Sequence, residues 1–363
     1  MLRQLGISVY PQYGTVKEQI DYLEKASSYG FTRMFTCLMS ASEEKDLHTL
    51  KVLLAKANEL GFEIIADVSP SVFQDLNLSF RDLGYFKELG LSGLRLDLGF
   101  SGLEESIMSL NEYGLKIELN MSQGTNYLEQ ILSYSPNKHT LIGCHNFYPR
   151  KYTGLSREHF IKCSKQYKEH GIRTAAMISS SHAKYGPWPV QEGLPTLEEH
   201  RYLPITVQAK DLYNTGLIDD LIIGNSFASN EELKQLSELN RYLLELSVDF
   251  VPNVSELEKK IALEKIHVNR GDVSAYVIRS TESRVQYKQE SIPAHDTQSI
   301  KRGSVTIDND HYERYKGELH IALQEMENEG KTNTIGYIVK EETFLLNKIR
   351  PWQKFRLVER TER

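Results

Sequence analysis

Cysteine is scarce: Cys37, Cys144 and Cys163 are the only ones among 363 residues, and no pair has CxxC spacing. An odd, scattered set excludes a disulfide framework and favours reduced thiols. A basic surplus is missing too. The formal net charge is −6, so the chain lacks the positive field that nucleic acid or an anionic membrane would require. No apolar run approaches the roughly 18 residues of a membrane span. The opening residues, MLRQLGISVYPQYG, contain neither the apolar stretch nor the small-residue cleavage site of a secretory signal. The expectation is a cytoplasmic protein with no nucleic-acid or membrane partner. Familiar catalytic signatures are also absent. No GxGxxG follows the first apolar run, no HxH lies on it, and HExxH and GxSxG occur nowhere. Lys116 lies too early in its segment to serve as a Schiff-base lysine. No cofactor and no metal is expected.

The composition, 40% hydrophobic and 25% charged, is that of an ordinary globular protein. A repeat organises it. Gly30, Gly61, Gly90, Gly114, Gly171 and Gly216 each precede a short apolar run, as in YGFTRMFTCLM, LGFEIIADVSP and HGIRTAAMISSS. A glycine there ends a helix in the left-handed conformation, and the run after it reads as a strand buried on both faces. LGISVYP and LIGCHNFYP complete a set of eight strands. Leu47, Leu50, Leu54, Ala57 and Leu60 form one apolar helical stripe between two of them. Thr15–Glu18, Ser40–Glu43, Thr196–Glu199 and Ser229–Glu232 match capping boxes at helix starts. Eight strand–helix alternations over about 240 residues predict an α/β fold, a (β/α)₈ TIM barrel, with a doubly wound open sheet as the alternative. The pattern then changes to short alternating runs without helices: VSAYVIRST, SVTID, GELHIAL, TIGYIVK and KFRLVER. These predict a small β-rich domain over 253–363 behind a barrel over 1–252.

In such a barrel the chemistry sits at the C-terminal ends of the strands. Tyr10, Asp67, Ser69, Asp97, Glu118, Asn120, His145, Asn146, Tyr148, Arg150, Ser180, His182 and Asn225 occupy those ends. In GLKIELN, period-two alternation puts Glu118 and Asn120 on one face. In GLRLDLG it does the same for Arg95 and Asp97. Buried carboxylates are costly unless paired, so two at one rim point to acid–base work or a metal. The bland alternative is a layer of internal ion pairs. The loop CHNFYPRKYTGLS gathers His145, Asn146, Tyr148 and Arg150, and SSSHAKYGPWPVQEGLPTLEEHR reads as a stiff aromatic binding loop. Aromatic faces with amides and cations suit a sugar, and Arg150 could fork onto a phosphate. Asn225, Ser226 and Ser229 lead into a helix N-terminus, a natural anion cradle.

Taken in order, LGISVYP, RMFTCLMS, DVSP, GLRLDLGF, GLKIELNMS, GCHNFYPRKYTGLS, SSHAKYGPWPVQEGLPTLEEHR and DDLIIGNSFAS resemble the bacterial 6-phospho-N-acetylmuramidase family, long labelled as outer surface proteins. The resemblance runs along the whole chain and implies a cyclophilin-like C-terminal domain. It implies a cytosolic glycosidase that cleaves the β-1,4 bond of N-acetylmuramic acid 6-phosphate–N-acetylglucosamine during cell-wall recycling. Its partner would then be a phosphorylated amino-sugar disaccharide. General glycosidase chemistry assigns Glu118 as proton donor, Asp97 as the second carboxylate and Asp67 as its closest substitute. Tyr10, Asn120, His145, Asn146, Tyr148, Arg150, His182, Asn225 and Ser226 would bind substrate. A metal-assisted phosphosugar isomerase or lyase and a non-catalytic sugar sensor are the rival readings. The small domain could close over the barrel mouth or mediate a homodimer.

Overall fold

The computed structural model describes residues 2–38, 44–190 and 192–360. The chain divides into two compact units, Met1–Leu239 and Asn240–Arg363.

In the first unit eight parallel strands close into a barrel in sequence order. They are β1 (Gln4–Ser8), β2 (Arg33–Cys37), β3 (Glu63–Val68), β4 (Gly93–Leu96), β5 (Lys116–Asn120), β6 (Leu141–Cys144), β7 (Arg173–Ile178) and β8 (Asp220–Ile223). Closure comes from β8 pairing with β1, with Gln4 opposite Asp220 and Ile7 opposite Ile223. The (β/α)₈ expectation therefore holds, and the open-sheet alternative is excluded. Alternation sorts the side chains into two populations. Leu5, Ile7, Met34, Ile64, Ala66, Leu94, Ile117 and Leu119 face the surrounding helices and join their core. Phe35, Cys144, Ala175, Met177 and Ile222 face inward and fill a smaller one with Tyr10.

The expected helix punctuation is mostly present. All six glycines of the repeat have positive φ. At Gly30 a Cβ would meet no atom within 4 Å, so the backbone torsion, not crowding, selects glycine there. The helix Glu44–Glu59 buries Leu50, Leu54 and Ala57, while Leu47 stays exposed. Thr15–Glu18 and Ser229–Glu232 are reciprocal capping boxes. Thr196–Glu199 is not. Thr196 Oγ1 instead accepts from the Met177 amide and donates to the Asn146 carbonyl, each at 2.9 Å. Tertiary partners took its hydroxyl before a cap could use it. Ser40–Glu43 lies outside the described residues. No helix among the described residues is long and apolar enough to cross a membrane.

The second unit holds a seven-stranded sheet. Its strands are β9 (Leu244–Phe250), β10 (His267–Val268), β11 (Val277–Ser280), β12 (Ser304–Asp308), β13 (Leu319–Ala322), β14 (Thr332–Ile338) and β15 (Lys354–Glu359). The spatial order is β10-β15-β9-β14-β12-β13-β11. All five runs picked out in the sequence form strands, but the boundary at residue 252 is too late. Leu244–Phe250 pairs with β14 on one side and β15 on the other, so it belongs to this sheet. A barrel already closed by β8 and β1 has no edge to receive a ninth strand. An unanticipated capping box, Ser255–Glu258, starts the helix Glu256–Leu263 beside the new core.

Candidate active site

The barrel lumen is a stack of ion pairs. At the N-terminal ends of the strands, Lys116 Nζ meets Glu63 at 2.7 Å and Arg173 meets Asp220 at 2.5 Å. Above them Arg33 spans the lumen. Its Nη1 bonds Asp220 Oδ2 at 2.9 Å and its Nη2 bonds Glu118 Oε2 at 2.6 Å. Both Arg33 and Glu118 are sealed from solvent, at 2% and 0% exposure. Toward the mouth comes Arg95, opposite Glu118 in β5 and Asp67 in β3 by strand register. Its Nε lies 4.0 Å from Glu118, while its Nη1 bonds Asp67 Oδ1 at 2.9 Å and Asp97 Oδ1 at 3.3 Å. Its Nη2 donates to Asn146 Oδ1.

This placement corrects one assignment. A general acid must touch the leaving oxygen, and Glu118 reaches neither solvent nor the mouth. It is the counter-ion of Arg33, and the sequence-level alternative of an internal ion pair is the one that applies. Among the described candidates, the carboxylates that do open at the mouth are Asp67 and Asp97, 13% and 42% exposed. Burial, with Asp97 and Glu118 nearby, pushes the Asp67 carboxyl up to about 6 against the pull of Arg95. Asn120 donates to Asp97 Oδ1 at 3.2 Å and accepts from the Ser122 amide at 3.0 Å. Beside this pair lies a cleft of about 360 Å³ bounded by Asp97, Gly99, Asn120, Gln123, Asn126 and Tyr127. Half-buried Tyr148 stands close enough for Arg95 and Asp97 to act on its phenol, which burial holds above its usual range.

Of the other expected ligand-binding residues, Asn120, Asn146 and Tyr148 gather at this mouth, and four do not. Tyr10 is buried and donates to the Gly224 carbonyl at 2.5 Å, tying β1 to β8. His145 is fully buried between Ser122 Oγ at 3.1 Å and Ser164 Oγ at 2.9 Å. Burial lowers it to about 3, so it stays neutral. It acts indirectly, because Ser122 Oγ also accepts from the Asn146 amide at 2.9 Å. Asn225 is folded onto Ser180, accepting from its amide and donating to its carbonyl, both at 2.8 Å. Ser226 Oγ donates to the Ser8 carbonyl. These residues are joints of the scaffold. Arg150 and His182 are exposed.

The expected anion cradle after β8 is already filled. The Glu232 carboxylate caps the Ser229 amide at 2.9 Å and also takes Ser180 Oγ at 2.7 Å and the Ser181 amide at 3.0 Å. A second anion there would face that charge.

Two residues that sequence reasoning passed over hold the site together. Arg33 had a signal: the inward alternation that exposed Glu118 puts an arginine on the inner face of RMFTC as well. Arg201 had none. Its buried guanidinium donates to the carbonyls of Tyr148, Glu192 and Arg150 at 2.9, 2.9 and 3.0 Å and pairs with Glu198. It thereby knits the loops after β6 and β7, across 51 residues in one case. Among the described residues, Glu199, His200 and Asp211 form the one cluster with metal-ligand spacing. Arg157 bonds both Glu199 and Asp211, so a guanidinium already supplies the positive charge there.

Residues 5–238 match the family described as 6-phospho-N-acetylmuramidase, N-terminal, and residues 244–358 match 6-phospho-N-acetylmuramidase, C-terminal. No curated protein matches. Among solved structures, an uncharacterized B. cereus protein is similar at 49% identity over 99% of this chain and 100% of that one, with a TM-score of 0.93. A conserved Enterococcus faecalis protein of unknown function is similar at 28% identity over 98% and 96% of the two chains, with a TM-score of 0.72.

Proposed function

The chain belongs to the 6-phospho-N-acetylmuramidase family, and on that premise we propose that it hydrolyses the β-1,4 bond between N-acetylmuramic acid 6-phosphate and N-acetylglucosamine, with Asp67 and Asp97 as its working carboxylates. The observation that carries the residue assignment is the shared guanidinium. Asp67 and Asp97 both bond Arg95 Nη1, at 2.9 and 3.3 Å, so those two oxygens lie within about 6 Å of each other. Spacing near 5–5.5 Å serves retaining glycosidases, and 6.5–9.5 Å serves inverting ones.

Asp67 is the proton donor. A carboxyl with its pKa pushed up to about 6 keeps a usable protonated fraction near neutrality and can protonate the departing oxygen. Asp97, more open and held by Arg95 and Asn120, stands beside the anomeric carbon to stabilise its developing positive charge. It can do so as a nucleophile or by orienting the substrate's own acetamido group, and both routes retain configuration. Asn146 and Tyr148 orient hydroxyls, and exposed Arg150 contacts the 6-phosphate. The phosphorylated disaccharide places the reaction in the cytoplasm, in recycling of imported cell-wall fragments. The cyclophilin-like assignment of the second unit rests on the same family.

The test is incubation with the phosphorylated disaccharide, following products by mass and the first-formed anomer by NMR, with and without chelator. The reading requires two monosaccharides and initial β-anomer, with Asp67→Asn and Asp97→Asn each reducing kcat at least 10²-fold. Initial α-anomer would remove the retaining arrangement. Activity lost to chelator and restored by a divalent ion would favour the metal-assisted reading instead.

A further inference from the structure

The second unit contains a cavity of about 550 Å³ for which the barrel chemistry has no use. Its floor is one face of β12 and β13. Val305, Ile307, Leu319 and Ile321 point into the apolar core. Alternation leaves Thr306, Asp308 and His320 on the other face, with Thr306 directly opposite His320. Thr306 is 2% exposed and Asp308 4%, and both sit at the bottom of the cavity rather than on the open surface. The pairing of β12 with β14 also shifts register between Val305 and Thr306, the kind of bulge that re-aims side chains beside binding sites.

The hydrogen bonding on this floor is incomplete. Asp308 Oδ1 accepts from Thr332 Oγ1 at 2.9 Å and lies 3.9 Å from His320 Nδ1, beyond hydrogen-bond reach. Among the described residues, Asp308 Oδ2, the Thr306 hydroxyl and His320 Nδ1 have no hydrogen-bond partner, although His320 Nε2 meets Glu318 at 3.1 Å. All three open onto the cavity, so their hydrogen-bonding capacity is free for whatever fills it.

The charges of the lining narrow the class of that occupant. In the lining, Arg279 closes on the buried Glu318 carboxylate at 2.7 Å, which also takes Arg284 from outside the lining at 2.7 Å, and Lys331 pairs with Glu329 at 2.9 Å. The cations are thus committed to the wall, while Asp308 and Glu327 remain. An incoming phosphate or carboxylate would meet net negative charge. Tyr312 and Tyr315 add two partly exposed rings, 5.4 Å apart and nearly perpendicular, with Lys331 and Arg284 over one face of each and the other face left for a ligand. We propose that this cavity binds an uncharged, hydroxyl-rich ligand of sugar size, with Thr306, Asp308 and His320 taking its hydroxyls and the two tyrosines covering its C–H surfaces. The site lies wholly within the second unit and does not depend on the barrel assignment.

The test uses the full chain with methyl-labelled threonine, reading the Thr332 methyl resonance, which reports this cavity alone. The probes are methyl β-glucoside, N-acetylglucosamine and N-acetylglucosamine 6-phosphate. We expect the two neutral sugars to shift the resonance saturably and the phosphate to act more weakly. Thr306→Val, which keeps the side-chain shape, should raise the half-saturation concentration about 3–10-fold, and Asp308→Asn by more. If Asp308→Asn does not fold, Thr306→Val decides. A Thr332 resonance indifferent to neutral sugars, a stronger response to the phosphate, or unchanged affinity in folded Thr306→Val would each overturn the proposal.

Discussion

Replacing Glu118 with glutamine separates a structural carboxylate from a catalytic one. In the native barrel, Glu118 Oε2 accepts from Arg33 at 2.6 Å, and both side chains are sealed from water. Glutamine keeps an acceptor for Arg33 but loses the charge that neutralises it. Its amide NH₂ must then occupy the place of Oε1, which has no hydrogen-bond partner and lies 4.0 Å from Arg95 Nε. A donor would face a donor. Breaking a buried ion pair from one side costs about 3–5 kcal/mol. Because Arg33 retains Asp220 at 2.9 Å, the lower end, about 3 kcal/mol, is the expected loss. For a unit of this size that corresponds to about 6–12 °C in Tm. The two tryptophans, Trp188 and Trp352, fall one in each unit. In a Trp352→Phe background, Trp188 fluorescence therefore follows barrel unfolding alone. Well below the transition, kcat on the phosphorylated disaccharide should fall less than about tenfold. An unchanged Tm with kcat reduced by three orders of magnitude would refute the structural reading and return Glu118 to the proton-donor role.

Two further outcomes are expected. Asp67 has a folded-state pKa raised from 3.8 to about 6, so its contribution to stability is fully present below pH 3.8 and is lost as pH rises through 6. Asp67→Asn should therefore gain on wild type across that window, by up to about 3 kcal/mol, in urea titrations at pH 4, 5, 6 and 7.5. A difference independent of pH would show that Asp67 is not perturbed. Arg201→Met removes the bonds to the Tyr148, Arg150 and Glu192 carbonyls. It should raise KM more than it lowers kcat and open the Arg150–Lys151 bonds to trypsin. Unchanged KM and unchanged cleavage would show that these loops hold their shape without it.

The architecture was written locally. Glycine at helix ends, apolar runs after each one and hydroxyl–glutamate pairs at helix starts are short-range requirements of the backbone, so they gave eight strands and the barrel before any contact was known. Two marks misled. Leu244–Phe250 alternates like any strand, and nothing within it says which sheet has a free edge. Thr196–Glu199 fits a cap whose hydroxyl is bonded elsewhere. At the site, alternation put Arg95 with Asp97 and Glu118 with Asn120 on shared faces, and the folded barrel turns both faces into the lumen. Alternation could not say at what height each would sit, or which arginine would reach which carboxylate. Arg33 meets a residue 85 positions away and Arg201 one 51 positions away. Such pairings depend on barrel stagger and side-chain reach, which are properties of the closed sheet. Sequence alone therefore determined the barrel, the inward face and the pool of acidic candidates. The tertiary structure divided that pool, burying Glu118 against Arg33 and leaving Asp67 and Asp97 at the mouth, because the depth of a carboxylate in a closed barrel depends on strands far away in the chain.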